Sequence, residues 1–236
     1  MEPVIEVVDL QFHYPDGTVA LQGVDFSLQA GETVALFGAN GSGKTTFLLH
    51  LVGLLKGRGQ IRVCGRELTE STFSFARQKI GVLFQDSDDQ LFMPTVEEDV
   101  AFGPLNMGLG SDEVRTRVER CLDLVGMRYA AGRAPYHLSA GEKRRVALAG
   151  VLAMDPEIIV LDEPATFLDP PARGQLVAIL SSLPQAKLIV THDVDLARTL
   201  ASRAAFFEKG KIVSTGGVES IIDRFQWDTN AALRPR

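Results

Sequence analysis

Two short stretches of the 236-residue chain carry residue types that could act on a phosphate. GANGSGKT, residues 38–45, fits the phosphate-loop pattern G-x-x-x-x-G-K-[ST]. Gly38, Gly41 and Gly43 let successive backbone N–H groups turn inward, where a Cβ would block the approach of a triphosphate. Lys44 can reach the β and γ phosphates, Thr45 offers a hydroxyl to Mg2+, and a helix starting here adds its positive end. Asn40, Ser42 and Thr46 belong to the same loop and complete the ATP-binding set predicted there. IIVLDEP, residues 158–164, delivers two carboxylates after an apolar run. Asp162 would hold Mg2+ through water, and Glu163 would orient and polarise an attacking water. A strand ending in Asp-Glu is weak evidence alone; beside a phosphate loop it predicts phosphoryl transfer to water.

These residues need strands that stop where a loop begins. VIEVVDLQFHY, residues 4–14, is β-rich and ends at a Pro-Asp-Gly turn, and ALQGVDFSLQAGETVALFG reads as a strand, a turn at Gly31 and a short apolar strand. The last of these runs into the phosphate loop and an apolar helix. KIGVLFQ predicts a strand, about 97 to 153 a helical block, and then strand and helix alternate: EIIVLDE, PARGQLVAILSSL, KLIVTHD and VDLARTL, followed by a hairpin at Lys209 and Gly210. Short buried strands alternating with helices predict an α/β fold with a mostly parallel sheet, and antiparallel β structure at the N-terminal edge. Val114, Val118, Cys121, Leu122 and Val125 recur at helical spacing, which is ordinary core packing. The tail from Gln226 has no periodicity and is expected to be loosely held.

Bulk composition narrows the partners. A hydrophobic fraction of 45% allows a substantial core, and a net charge of −6 with no basic block argues against nucleic-acid binding. Cys64 and Cys121 match neither a metal spacing nor a disulfide framework, which favours a reducing compartment. FLLHLVGLL is too short to span a bilayer, so a soluble, cytoplasmic chain is expected, with any membrane role exercised through a partner.

HLSAGEKRRVALAG, residues 137–150, separates this chain from other phosphate-loop proteins. Here it resembles the nucleotide-binding subunits of ABC transporters, whose signature reads LSGGQ. The likeness runs from Tyr14 to about His192 with the motifs in order. It implies a P-loop NTPase of ABC type with an antiparallel β subdomain and a helical subdomain. It also implies a single domain over 1–236: core 1–85 and 154–225, helical subdomain 86–153, tail 226–236. Tyr14 matches the aromatic that stacks on adenine, though an aromatic closing a strand would look the same. Gln85 matches the glutamine that joins the subdomains and senses Mg2+. Phe167–Asp169 matches the loop at the dimer interface, and His192 the switch histidine; alone it would read as a strand-end histidine. Ser139-x-x-Glu142 is also a capping box, and both readings can hold. The resemblance implies a head-to-tail dimer in which Ser139 and Gly141 of one subunit close on the ATP held by the phosphate loop of another, with Glu163 and His192 acting on water and γ-phosphate. Two departures stand out: Ala140 for the first signature glycine and Glu142 for glutamine, which imply a weaker dimer or slower turnover.

Between Lys79 and Arg115 no basic residue occurs, while Asp86, Asp88, Asp89, Glu97, Glu98, Asp99, Asp112 and Glu113 are acidic. This exceeds the net charge of the chain, so the acidity is local. One reading is a solvated acidic face. The other follows from the wording of DDQLFMPTVEEDVAFGP, similar to the ATPases of energy-coupling-factor importers: an acidic, aromatic helix from Gln85 to Phe102 that grips arginines of a transmembrane coupling subunit, with Leu91, Phe92 and Phe102 as apolar anchors. The resemblance then implies a second ATPase subunit, identical or paralogous, an indirect substrate-binding membrane subunit, and residence on the cytoplasmic face of the membrane. Cobalt or nickel would be the cargo, with biotin next. A soluble ATPase of the iron-sulfur assembly kind is the rival.

Overall fold

The computed structural model describes residues 2–227. In chain order the elements are β1 (Ile5–His13), β2 (Val19–Leu28), β3 (Thr33–Phe37), α1 (Lys44–Leu51), β4 (Arg58–Val63), β5 (Arg66–Glu67), α2 (Phe73–Lys79) and β6 (Ile80–Leu83). Then come α3 (Val96–Asn106), α4 (Ser111–Leu124), α5 (Ala140–Ala153), β7 (Ile158–Asp162), α6 (Pro170–Ser182), β8 (Ala186–Val190), α7 (Val194–Leu200), β9 (Arg203–Glu208), β10 (Lys211–Gly216) and α8 (Val218–Phe225). Two compact units emerge: residues up to Arg77 with those from Ala186, and Gln78–Gln185.

In the first unit β2, β1, β4 and β5 form the antiparallel sheet expected at the N-terminal edge. β3 pairs in parallel with β8 on one side and β9 on the other, and β10 returns antiparallel along β9. All five residues of β3 and of β8 are buried, Thr33 and Lys187 included, as parallel strands covered on both faces require. The short strands over 58–67 and helix α8 have no counterpart in the sequence reading. The first have only Ile61 and Val63 buried among charged, polar and glycine residues, and the exposed face of an eight-residue helix hid the second.

Helix α1 joins the two sheets of this unit. Phe47 lies edge-on to Phe26 of β2, with ring centroids 5.6 Å apart, and packs at 5.9 Å against Phe207 of β9. A second cluster, Ala35, Phe37, Ala197, Ala204, Phe206, Val218, Ile221 and Ile222, holds α7 and α8 against β3 and β9.

In the second unit β6 and β7 are parallel, in register from Ile80 opposite Ile158 to Leu83 opposite Leu161. The predicted helical block resolves into α3, α4 and α5 with two 3-10 turns between the last two. Val114, Val118, Cys121, Leu122 and Val125 are all buried, as their spacing required. Residues 84–95, expected to begin an acidic helix, are irregular; that helix starts only at Val96, where Thr95 and Glu98 form a capping box. Among the described residues no helix is long and apolar enough to cross a membrane. Of the tail, residues 228–236 lie outside the described residues, whereas Trp227 packs at 6.4 Å from Phe37.

Phe47→Ala removes the ring shared by both sheets of the first unit and should cost roughly 3–5 kcal/mol of stability in urea denaturation. A loss below about 1 kcal/mol would mean that the cavity closes and that α1 is held by other contacts.

Candidate active site

The phosphate loop leaves β3 and enters α1 through backbone that is crowded on one side. A Cβ at Gly38 would stand 2.2 Å from the carbonyl oxygen of Phe207, and one at Gly43 2.5 Å from that of Ala20; both residues have positive φ, +146° and +111°. This adds a second reason for glycine at these positions: a side chain would collide with the protein's own strands. At Gly41 nothing lies within 4 Å, so only there is the space open. The β9–β10 turn clamps the loop: Gly210 N–H donates to Ser42 O at 2.8 Å, while Gln22 binds Gly210 O and Lys209 O, both at 2.8 Å.

Lys44 is buried and donates from Nζ to Gly38 O at 2.6 Å and Ala39 O at 2.9 Å. The Ser42 hydroxyl is buried with no hydrogen-bond partner among the described residues. A buried ammonium held on two loop carbonyls, beside an orphan hydroxyl in the same glycine loop, suits an anion. Tyr14 and Thr46 share a hydroxyl hydrogen bond of 2.9 Å, which anchors the predicted adenine platform to α1. His192 follows β8 and places Nε2 3.0 Å from Asn40 Oδ1. Burial first, and then the charge of Lys44, pushes its pKa down, so the ring is a neutral imidazole near pH 7.

The second unit carries the remaining predicted residues. Asp162 ends β7 and is buried, and Glu163 takes a left-handed conformation, φ 46°, accepting from the Thr166 hydroxyl at 3.2 Å. Asp169 caps α6 by accepting from Ala172 N–H at 2.8 Å. Gly141 packs on that same turn: a Cβ there would lie 2.6 Å from the Ala172 Cβ, so the signature turn and the Asp169 turn are built against each other. Ser139 caps α5. Its N–H and hydroxyl both donate to Glu142 Oε2 at 2.8 Å, and Glu142 N–H donates back to Ser139 Oγ at 3.3 Å. Gln85 is exposed, while its carbonyl and that of Phe84 accept from the guanidinium of Arg144 on α5.

The predicted residues thus fall into two sets, Tyr14, Gly38–Thr46 and His192 in the first unit, Gln85, Ser139, Gly141, Asp162, Glu163 and Asp169 in the second. Within the first, the structure joins His192 to Asn40 and Tyr14 to Thr46; within the second, Gly141 to the Asp169 turn and Gln85 to α5. For Mg2+ the donors present are a hydroxyl at Thr45, an amide at Gln85 and a carboxylate at Asp162, all hard oxygens that suit it. Among the described residues no cluster of three or more His, Cys, Asp or Glu could hold a metal.

Most of the acidic window has structural work. Asp86 accepts from Asp88 N–H, Asp88 pairs with Lys143 at 2.5 Å, Glu98 caps α3, and Asp112 and Glu113 pair with Arg115 and Arg117. Asp99 is buried, with Oδ1 accepting from Phe92 and Met93 N–H, both at 3.0 Å, and Oδ2 lacking a partner among the described residues. Burial raises its pKa. The sequence reading counted Asp99 as one surface charge among eight and missed this; its position on the inward face of α3, beside Val96 and Val100, was the available signal.

The Tyr129 hydroxyl, which no sequence signal linked to the signature, donates to Glu142 Oε1. That bond, with those from Ser139, holds the Glu142 carboxyl down to about 2. Because the folded value lies below the ordinary one, the stabilisation is present above about pH 4.5 and fades as pH falls toward 2. Tyr129→Phe should therefore be less stable than wild type at about pH 6, with the gap narrowing below about pH 4.5 in urea titrations. A gap independent of pH would show that the hydroxyl acts elsewhere.

Comparison with known proteins gives the family. Residues 21–166 match the family model described as ABC transporter. The chain is 46% identical to the energy-coupling factor transporter ATP-binding protein EcfA of Methanothermobacter thermautotrophicus, across 98% of this chain and 76% of that protein. Among solved structures it is similar to cbiO1 of Clostridium perfringens, described as part of the ABC transporter complex cbiONQ, with 33% identity, a TM-score of 0.86, and coverage of 99% of this chain and 96% of that one. It is also similar to a dimeric ATP-binding cassette in a post-hydrolysis state with ADP and Pi, at 27% identity and a TM-score of 0.80 over 91% of this chain and 98% of that one. The chain is an ATPase that belongs to the ABC transporter ATP-binding family, of the energy-coupling-factor type.

Proposed function

We propose that this ATPase powers a membrane importer, pairing with a second ATPase subunit and docking on a transmembrane coupling subunit from the cytoplasmic face. The observation that carries the docking is a groove of about 280 Å3 in the second unit, lined by Val82, Asp89, Leu91, Phe92, Phe102 and Met154. Phe92 and Phe102 stand edge to face at 4.9 Å and are 61% and 42% exposed, unusual for large rings held so close. Asp99 also lines the groove, and its half-satisfied buried carboxylate suits a guanidinium better than the exposed Asp88, which Lys143 already engages.

In the proposed cycle the loop at Gly38–Thr46 cradles the phosphates, Tyr14 stacks on the base, and Ser139, Gly141 and Asp169 of the partner complete the pocket. Glu163 accepts the proton of the attacking water, and His192 Nε2–H donates to a γ-phosphate oxygen. Mg2+, held by Thr45, Gln85 and Asp162, would supply charge neutralisation at the β and γ oxygens. Arg144 and Lys143 tether the Gln85 segment to the signature helix, so a push from the groove reaches Ser139 along one rigid element. The similar cassette with ADP and Pi is dimeric, and the EcfA and cbiO1 relatives carry transporter names, which supports this reading. Cobalt or nickel is the proposed cargo, after the likeness to cobalt and nickel ATPases, with biotin the alternative; metal and vitamin uptake assays separate them.

Glu163→Gln should bind Mg-ATP and dimerise while hydrolysis falls about 100-fold or more; full turnover would place the base elsewhere. Replacing Phe92 and Phe102 together by Ala should reduce co-purification of the transmembrane subunit from native membranes about tenfold. ATP affinity measured on the same preparation reports whether the cassette is folded, and unchanged association would remove the groove from the docking surface.

A further inference from the structure

The chain's only tryptophan sits where the catalytic histidine needs a wall. The indole of Trp227 lies nearly parallel to the His192 imidazole, centroids 5.6 Å apart and planes 24° from one another. Three contacts hold it there. Phe206 meets it edge-on at 5.1 Å, Phe37 packs at 6.4 Å, and Trp227 N–H donates to Ile222 O at 3.0 Å after Gln226 turns the chain through a left-handed conformation, φ 49°. Gln226 is not a glycine, so that turn carries strain which the packing of Trp227 must offset. Helix α8 supplies the base for it by burying Val218, Ile221 and Ile222 in the cluster beneath β3 and β9.

We propose that Trp227 is a positioning residue for His192: its face fixes the plane of the imidazole so that Nε2 points at Asn40 and, in turn, at an oxygen of the bound nucleotide. A histidine side chain has a broad χ2 well and would otherwise swing its donor away from the phosphate. Flanking the ring by indole on its face and by Asn40 at its donor atom leaves one orientation, and such preorganisation acts on the rate of the chemical step more than on ground-state binding. Asn40 Oδ1 accepts the hydrogen bond from His192 Nε2 that a phosphate oxygen would take over. This rests on the proposed role of His192.

The test compares Trp227→Ala, Trp227→Phe and Trp227→Leu in the full chain, each alone and in a His192→Ala background, by steady-state hydrolysis of Mg-ATP and by thermal melting. Trp227→Ala should lower kcat about tenfold with KM within about twofold. Trp227→Phe restores a flat face and should recover most of the rate. Trp227→Leu fills the volume and should recover melting temperature but not kcat. In the His192→Ala background the Trp227 changes should alter the rate by less than about twofold, since the two residues act as one unit. Rescue by Leu as good as by Phe, or equal losses with and without the histidine, would make Trp227 structural and overturn the proposal. An inactive His192→Ala chain beside a fully active Trp227→Ala chain also overturns it while leaving the histidine's role intact. A fully active His192→Ala chain removes that role and the proposal with it.

Discussion

Carbonyl oxygens pressed against the phosphate loop set the geometry on which the first unit depends. Phe207 O and Ala20 O approach so closely that only hydrogen fits at Gly38 and Gly43, and the β9–β10 turn fastens Ser42 from the same side. A loop clamped by strands on its outer side has one direction left in which to present polar groups. Lys44 answers this by folding onto the loop's own carbonyls, a compact arrangement that keeps a buried ammonium hydrogen-bonded. The same strands bring Phe207 to Phe47, so core packing and loop geometry share residues.

In the second unit the organising contact is the grip of α5 on the chain that follows β6. Arg144 takes two consecutive carbonyls and Lys143 takes Asp88, which anchors an irregular stretch that has no ladder of its own. Gln90 adds to this by bonding Phe84 N–H and Val82 O with its side-chain amide, extending the edge of β6. The acidic window is therefore mainly a set of caps, turns and ion pairs. What these leave open is the groove lined by Asp89, Leu91, Phe92 and Phe102, with Asp99 also in its lining.

The two departures from the family signature have different standing. Ala140 occupies an exposed position in the first turn of α5. Glu142 is built in: it completes the Ser139 cap and takes a hydrogen bond from Tyr129 that glutamine could accept only as a neutral group. A carboxylate near the start of a helix is favoured by the helix dipole, so the added charge stabilises the turn it could otherwise disturb.

The amino-acid sequence by itself determined the strands that end at Phe37 and Asp162, the buried stripe of α4, the capping box at Ser139 and the family, because each of these is written in neighbouring residues. Periodicity and turn chemistry act over a few positions, and tertiary context still moved the start of the acidic helix from Gln85 to Val96. Only the tertiary structure decided why Gly38 and Gly43 are glycine, which acidic residues are occupied, that Tyr129 reaches Glu142, and that Trp227 stacks on His192. Those facts depend on atoms brought within a few ångströms from strands and helices far apart in the chain, and no local pattern records which distant carbonyl, cation or ring will be there.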